Sequence, residues 1–559
     1  MARYASTICV IAIGAVSTLE ACGDANTTFD DRTSGGQGGG ATGGSMGVGG
    51  IISIGDASGG TGGGGGIIGG DGSVTRACQN LECFQNKCTL GQCKIPACAP
   101  GGTTSLSGTI YDPAAKIPLY NVIVYVPNAP VDPIVNGATC DRCGGISGSP
   151  IASALTDAKG QFVLKDVPVT SNVPLVIQVG KWRRQITVPM VTSCADTALP
   201  DKDMMRLPRS AAEGDLPKMA LATGGADALE CLLRKIGIAD SEFTPEAGAG
   251  HVNFFNGAAG TAKYKNTMNG GAAFGAATTL WGSVANLKKY DMVLLSCEGT
   301  ENPSNKSMAA LQAMQDYLNT GGRVFASHWH NYWLEKGPAP FPTVATFHHQ
   351  DDLADPFTAD IDMSFPKGQA LADWLVNVGG MSPKGKIVIK AGQHTVDAVN
   401  SMVGQRWIYS TTPTSVQYLT ANTPMNVPED KQCGRVVLSD IHVSSGDTST
   451  TGTAYPDGCK TTELSDQEKA LEFMLFDLSS CVIGDSKPPI PPIIKAPSSR
   501  VSPRSSSMDE IGGREREREW AGCRTGPRLA ARLPLLESWR CPRRIFCVTC
   551  RRFGSMQRS

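Results

Sequence analysis

The chain has 559 residues, enough for two to four domains at about 100–200 residues each. Its 50 basic and 51 acidic side chains nearly cancel, so the overall charge gives no reason to expect a nucleic-acid partner. Hydrophobic residues make up 41%, which excludes a chain that is disordered throughout. A polytopic membrane protein is not expected, because no apolar run reaches the roughly 20 residues that span a bilayer.

The first 22 residues resemble a bacterial lipoprotein signal. One positive charge in Met1–Arg3 precedes the apolar stretch Tyr4–Leu19, and LEAC ends at Cys22. The resemblance implies that Cys22 carries lipid, and that Gly23 after it directs the protein to the outer membrane. We therefore expect an extracytoplasmic protein, lipid-anchored at the outer membrane or cell surface. The alternative is a plain secretory signal.

Residues 23–76 predict a flexible linker, because Gly occupies 21 of the 38 positions from 35 to 72. Residues 77–103 follow with five evenly spaced cysteines. A small disulfide-bonded segment is the favoured interpretation, since an oxidising compartment suits such short segments. Zinc is the alternative, although the segment has no His and no pair of CxxC motifs.

Residues 104–208 predict an antiparallel β-sandwich, because short β-rich runs alternate with turn signals such as DAKG at 157–160. The pattern SGTIYD…PLYNVIVYV…TDAKGQFVLKDVP resembles the carboxypeptidase regulatory-like family, which has a carbohydrate-binding-like fold. That resemblance implies an accessory domain, sometimes sugar-binding, and not a metallocarboxypeptidase. The alternative is a spacer without a ligand. Strands are expected at 105–112, 120–128, 153–168, 173–180 and 182–189.

Residues 216–482 predict a three-layer, doubly wound α/β domain, because strand and helix periods alternate along a mostly parallel sheet. Ser465 and Glu468 form a capping box at the start of the last helix. Ligands of such sheets bind beyond the carboxyl ends of the strands. Strands are expected at 218–224, 251–255, 291–297, 323–329, 386–392 and 434–443. Helices are expected at 226–237, 305–321, 368–379 and 465–481.

The run YDMVLLSCEG…LQAMQDYLNTGGRVFASHWH…CGRVVLSDIHVS resembles the class I glutamine amidotransferase-like superfamily, in particular its trehalose-utilisation (ThuA-like) branch. The resemblance implies that His328 and His442 are the branch's two strand-end histidines. The turn Ser327–His328–Trp329 stands where the amidotransferase nucleophile should be, and it has no Cys. Glutamine hydrolysis is therefore not expected.

Four residues at the predicted strand ends are candidate catalytic residues: Cys297, Glu298, His328 and His442. A thiol beside an imidazole can form a nucleophile–base pair. A metal site is the weaker alternative; its candidate ligands are His328, His330 and His442, with His348, His349 and Asp351 or Asp352 nearby. The third alternative is a non-catalytic scaffold.

Aromatic side chains after His328 could stack on a sugar or pack in the core: Trp329, Tyr332 and Trp333.

Thirteen cysteines lie between Cys22 and residue 499, so at least one is expected to be free or to pair between molecules. We predict the disulfides Cys433–Cys459 and Cys231–Cys481. The CxxC at Cys140 and Cys143 is interpreted as a loop disulfide. Cys297 is then the free thiol.

Residues 483–559 predict a disordered tail that is Pro-rich and then Arg-rich, with 14 Arg and no Lys from position 500 onward.

The chain as a whole resembles a myxobacterial-type family of secreted lipoproteins that joins these modules. No cofactor motif is found, and tryptophan synthase activity is excluded because eight βα units are lacking. The favoured function is a binding or structural role, with polysaccharide as the candidate partner besides the membrane. The alternative is a cell-envelope hydrolase or sugar-modifying enzyme.

Overall fold

The computed structural model describes residues 77–88, 93–141, 146–381 and 383–492, with two short strands before them. The predicted signal with Cys22, nearly all of the Gly-rich linker, Cys143 and the tail beyond 492 lie outside the described residues. The chain divides into two units, Met1–Val74 and Thr75–Ser559. The short strands β1 (Ile67–Ile68) and β2 (Val74–Thr75) form a two-stranded sheet. Among the described residues, no helix has the length and apolar character needed to cross a membrane.

A β-sandwich of seven strands follows the cysteine-rich segment. Its strands are β3 (Ser105–Thr109), β4 (Ile123–Pro127), β5 (Pro150–Leu155), β6 (Gln161–Lys165), β7 (Ser171–Val179), β8 (Trp182–Met190) and β9 (Asp196–Leu199). They form a three-stranded sheet, β6-β3-β9, and a four-stranded sheet, β5-β4-β7-β8. Inward side chains of both sheets, such as Leu106, Val124 and Leu175, are fully buried in one core.

One strand pair departs from the predicted antiparallel arrangement, because β9 runs parallel to β3. The disulfide Cys98–Cys194 agrees with this arrangement, because it joins the segments that lead into the starts of β3 and β9. Two further disulfides, Cys78–Cys83 and Cys88–Cys93, are local to the cysteine-rich segment. This segment therefore has two local bonds and one bond to the sandwich.

The α/β region is built on one large mixed sheet. Its strands are β10 (Met219–Ala222), β11 (Phe243–Thr244), β12 (Val252–Asn256), β13 (Gly275–Ala276), β14 (Met292–Leu295), β15 (Arg323–Ser327), β17 (Phe357–Ile361), β18 (Lys386–Ile389), β20 (Gln405–Thr411), β21 (Thr414–Thr423) and β22 (Gly434–Ser439). The order is β11-β12-β10-β14-β15-β22-β21-β20-β17-β18, with β13 beside β12. Pairing is parallel from β11 to β22 and antiparallel from β22 to β18. Two more strands, β16 (Ala345–Gln350) and β19 (His394–Val399), form a separate antiparallel pair.

Helices cover both faces of this sheet, as a three-layer fold requires. They are α1 (Leu229–Lys235), α2 (Ala277–Trp281), α3 (Val284–Leu287), α4 (Met308–Asn319), α5 (Tyr332–Glu335), α6 (Pro366–Asn377) and α7 (Asp466–Ser479). Met219 and Leu221 of β10 pack in the core that includes α1, α6 and α7, whereas Ala220 and Ala222 pack in the core that includes α2, α3 and α4. Successive strand residues point to opposite faces, so the sheet lies between two helical layers. The capping box of Ser465 and Glu468 is confirmed at the start of α7.

The sandwich packs against helix α7. Trp182 and Phe476 meet edge to face with ring centroids 5.7 Å apart, and Tyr120 stacks on Phe473 at 5.6 Å. The disulfide Cys140–Cys433 adds a covalent link between the loop after β4 and the start of β22. The two predicted domains thus share a continuous apolar core.

The predicted disulfides are wrong, although Cys297 is free and buried as expected. Cys433 pairs with Cys140, so neither Cys433–Cys459 nor Cys140–Cys143 forms. Cys231 pairs with Cys459, and Cys481 is bonded elsewhere. The reason is that the loop after β22 folds onto α1, where Lys235 forms ion pairs with Asp447 at 2.6 Å and with Glu468 at 2.8 Å.

Candidate functional site

Three of the four candidate residues lie together at the carboxyl ends of adjacent parallel strands. Cys297 follows β14, His328 follows β15, and His442 follows β22. The Cys297 sulfur is 3.3 Å from Nδ1 of His328, and the rings of His328 and His442 have centroids 5.3 Å apart. One sulfur and two ring nitrogens from this group, called here the Cys-His-His cluster, lie within 4.8 Å of one another.

His328 has a backbone conformation that is uncommon in residues other than glycine. Its φ is +44°, at the point where β15 ends and a short 3-10 helix begins. The turn is fixed from both sides by Asp227, whose carboxylate accepts hydrogen bonds from the Ser327 hydroxyl at 2.6 Å and from the Val443 amide at 3.0 Å. This sharp turn directs the imidazole toward Cys297. A positive φ in a non-glycine residue at such a site is a form of strain that surrounding contacts must maintain.

The cluster is buried and electrically neutral. Burial raises the pKa of Cys297 to about 12, although backbone amides of Trp329 and Gly299 donate to the sulfur. Burial also lowers the pKa of His328 to about 2, with smaller contributions from His442 and His349. The pKa of His442 is lowered for the same reason. A protonated thiol therefore faces neutral imidazoles at neutral pH, which is unfavourable for a thiolate nucleophile.

Glu298 is held away from this chemistry in a buried ion pair. Its Oε2 atom is 2.6 Å from Nζ of Lys306, and the two side chains are 2% and 0% exposed. Its other oxygen accepts the Ala258 amide at 2.8 Å. Both oxygens have partners within the fold, so Glu298 supports the loop after β14 and does not join the Cys-His-His cluster.

His330 is also separate from the cluster, which corrects the predicted ligand set of His328, His330 and His442. Its Nε2 atom contacts the Ser296 carbonyl at 3.0 Å, and its Nδ1 atom accepts from the Trp333 indole at 3.0 Å. The prediction assumed that residues two apart share a strand face. The chain leaves the strand at His328 and turns into a 3-10 helix, so that alternation no longer holds.

Two further groups of titratable side chains lie on or near the β16–β19 pair. In the first, Asp397 contacts His348 at 3.0 Å and His394 at 2.9 Å, and His394 also contacts Asp352 at 2.7 Å. His348 and Asp352 were predicted as possible ligands, whereas His394 and Asp397 were not predicted. His394 and Asp397 stand three positions apart in β19, which places them on opposite faces of a regular strand, so the strand period gives no signal for this pair.

The second group joins His349 to two carboxylates. His349 is 2.8 Å from Glu335 and 3.6 Å from Glu301. The Trp329 ring connects this group to the Cys-His-His cluster, because its centroid is 4.7 Å from the His328 ring and 5.2 Å from the His349 ring. Trp329 is half-buried, whereas Trp333 is 2% exposed and belongs to the core.

Comparison with known proteins gives distant structural matches. No protein-family model matches the chain, and no curated protein matches it. A ThuA-like protein from Bacteroides uniformis is similar over 46% of this chain and 90% of its own, with 11% identity and a TM-score of 0.21. Two mutant type II cohesin–X–dockerin complexes from Acetivibrio cellulolyticus are also similar. The first is similar over 25% of this chain and 75% of its own, with 19% identity and a TM-score of 0.14. The second is similar over 26% of this chain and 78% of its own, with 17% identity and a TM-score of 0.13. Function is therefore inferred from the site itself.

Proposed function

We propose that this protein is an extracytoplasmic binding protein and that the carboxyl edge of its α/β sheet binds carbohydrate. The observation that carries the proposal is the half-buried indole of Trp329, which lies between an imidazole of the Cys-His-His cluster and the His349 group. Ligands of doubly wound sheets bind at this edge. The ThuA-like and carbohydrate-binding-like resemblances in the sequence agree with a sugar as the ligand class.

The side chains around Trp329 suit a sugar. An indole offers a flat apolar face for the C–H groups of a pyranose ring. The carboxylates of Glu301 and Glu335 and the imidazole of His349 supply acceptors and donors for hydroxyl groups at its edge. One aromatic face beside several polar groups is the composition expected of a small polar-ligand site.

The test is a glycan array with the full chain, followed by calorimetric titration of the best ligand. Trp329→Ala is expected to weaken binding about tenfold, since an aromatic contact contributes about 0.5–1.5 kcal/mol beyond its buried area and 1.4 kcal/mol equals a factor of ten. Tyr409→Ala is a matched control, because Tyr409 is another half-buried aromatic, on β20 beneath Arg406. An array without any bound glycan, or unchanged affinity in Trp329→Ala, would contradict the proposal.

We also propose that Cys22 carries the lipid that anchors the protein at the outer membrane or cell surface. At least five disulfides support an oxidising compartment, because such bonds are rare in the cytosol. Mass spectrometry of the mature N-terminus should find an acylated Cys22. An unmodified N-terminus at another residue would refute the anchor while leaving carbohydrate binding to be tested separately.

A cell-envelope hydrolase remains the second candidate, favoured by the 3.3 Å contact between the Cys297 sulfur and His328. The raised pKa of Cys297 opposes it, because a nucleophilic thiol must ionise. Native protein treated with iodoacetamide at pH 7 should leave Cys297 unmodified. Rapid alkylation that is lost in His328→Ala would favour the hydrolase instead.

A further inference from the structure

We propose that Cys297, His328 and His442 bind a Zn²⁺ ion, with three protein ligands and a fourth position for water or ligand. The proposal is independent of carbohydrate binding, since it concerns the buried cluster and not Trp329. A thiolate and imidazole nitrogens are the ligands that Zn²⁺ prefers, and sites with three protein ligands leave one position open.

The spacing of the ligand atoms agrees with such an ion. Zn–S distances of about 2.3 Å and Zn–N distances of about 2.0–2.1 Å in a tetrahedron separate sulfur from nitrogen by about 3.5 Å. The Cys297 sulfur and His328 Nδ1 are 3.3 Å apart, and all three ligand atoms lie within 4.8 Å. Small side-chain adjustments would therefore suffice to close the site.

His442 gives independent support. Its side chain is buried, with the residue 6% exposed, and its Nε2 atom has no hydrogen-bond partner among the described residues. Leaving a buried polar atom unpaired destabilises a fold by about 1–3 kcal/mol. By contrast, both ring nitrogens of buried His330 have partners. A metal ligand is the partner that the His442 ring lacks.

The surroundings resemble the outer shell of a metal site. The Gly299 amide donates to the Cys297 sulfur at 3.4 Å, and the Trp329 amide also donates to it. Hydrogen bonds of this kind orient ligands and tune a bound metal. The buried carboxylates of Asp227 and Asp440 act on the same sulfur, so their negative charge would favour a cation there.

Binding is a simple exchange without a redox step. The Cys297 thiol loses its proton to solvent as the sulfur–zinc bond forms, and each neutral imidazole donates a nitrogen lone pair. One proton is therefore released for each Zn²⁺ bound at neutral pH.

The experiment uses the full chain, purified with its disulfides oxidised and freed of metal by a chelator. The cysteines beyond residue 492 are first replaced by Ser so that they cannot bind the probe: Cys523, Cys541, Cys547 and Cys550. Calorimetry should show one Zn²⁺ per chain, and Co²⁺ should produce the intense near-ultraviolet band of a cobalt–thiolate bond. A protein that binds no Zn²⁺, or that gives no such band with Co²⁺, would overturn the proposal.

Variants then assign the ligands. Cys297→Ser should abolish the cobalt–thiolate band, and His442→Ala should weaken Zn²⁺ binding by more than about 100-fold, because even outer-shell changes weaken metal sites 10–100-fold. His251→Ala is the control, since that histidine is paired with Glu242 outside the cluster. Binding that survives in both ligand variants but disappears in His394→Ala would place the ion in the Asp397 group and refute the assignment. Where a ligand variant does not fold, the cobalt spectrum of the otherwise wild-type protein still decides the outcome.

Discussion

The interface between the sandwich and helix α7 contains a pair of buried carboxyl groups that should make stability depend on pH. Asp112, in the loop after β3, and Glu472, in α7, are both 0% exposed. Burial raises the pKa of Asp112 to about 7, and burial together with the Asp112 charge raises the pKa of Glu472 well above its usual value. Both oxygens of Glu472 and one of Asp112 have no hydrogen-bond partner among the described residues.

The sign of the effect follows from proton binding. Between the usual pKa of Asp, about 3.9, and its folded value of about 7, the folded state holds a proton that the unfolded state has lost. Stability therefore falls as pH rises through this interval and levels off above it. At 1.36 kcal/mol per pH unit, the interval of about 3 units corresponds to about 4 kcal/mol as an upper value for Asp112 alone.

Asp112→Asn tests this reasoning without removing the local hydrogen bonds. The Oδ1 atom of Asp112 accepts the amides of Lys116 at 2.7 Å and Ile117 at 3.1 Å, and the Asn oxygen can accept the same two bonds. The variant should be more stable than the wild type at pH 8, by up to about 4 kcal/mol, and differ little at pH 4. Glu472→Gln should act in the same direction.

The assay is urea unfolding followed by tryptophan fluorescence at several pH values from 4 to 8.5, without reductant. Equal m values would show that the change lies in stability rather than in the extent of unfolding. Asp157→Asn is the matched control, because its Oδ1 atom also accepts two backbone amides, from Lys159 and Gln161, but at an exposed turn. An Asp112→Asn variant that is less stable at pH 8, with the same pH slope as the wild type, would refute the reasoning.

Three further sets of substitutions test other features. The double variant with Cys140→Ser and Cys433→Ser should lower the free energy of unfolding by about 2–5 kcal/mol in non-reducing denaturation. An unchanged free energy would mean that this disulfide does not stabilise the fold. Lys306→Met should destabilise the fold by about 3–5 kcal/mol in the same assay, because it leaves the Glu298 charge buried without its partner. Adding Glu298→Gln should recover part of this loss. A Lys306→Met variant as stable as the wild type would contradict this account. His328→Gly should be about 1 kcal/mol more stable than His328→Ala, because Gly adopts φ of +44° without the strain that Ala incurs. Equal stabilities would mean that the turn is relaxed.

The parallel half of the α/β region could be predicted because its sequence is locally consistent. Apolar runs such as MVLL at Met292–Leu295 are buried on both faces, as strands between two helical layers should be. Residues that follow such strands meet at one edge of the sheet. This rule is sufficient to predict that Cys297, His328 and His442 lie close together.

The antiparallel half was largely missed because its polar residues are buried. Strand β21, Thr414–Thr423, reads as a polar loop, yet nearly every residue in it is buried. Gln417 donates to the Gln393 carbonyl at 2.7 Å, and Thr420 accepts from the Trp407 indole at 2.9 Å. These partners lie 24 and 13 residues away along the chain, so periodicity in the local sequence cannot reveal the strand.

The backbone at His328 bears on whether the site is functional or merely structural. A φ of +44° is uncommon in residues other than Gly, although Asn, Asp and His adopt positive φ more readily than most. Here the strained residue is held by the Asp227 bridge between Ser327 and Val443, and the result is an imidazole aimed at a buried thiol. The same strand end holds a buried thiol and a second imidazole, that of His442, whose Nε2 atom has no hydrogen-bond partner among the described residues. This combination favours a site that binds a ligand over a packed core. A bound cation accounts for the three side chains together, since their ligand atoms lie within 4.8 Å of one another.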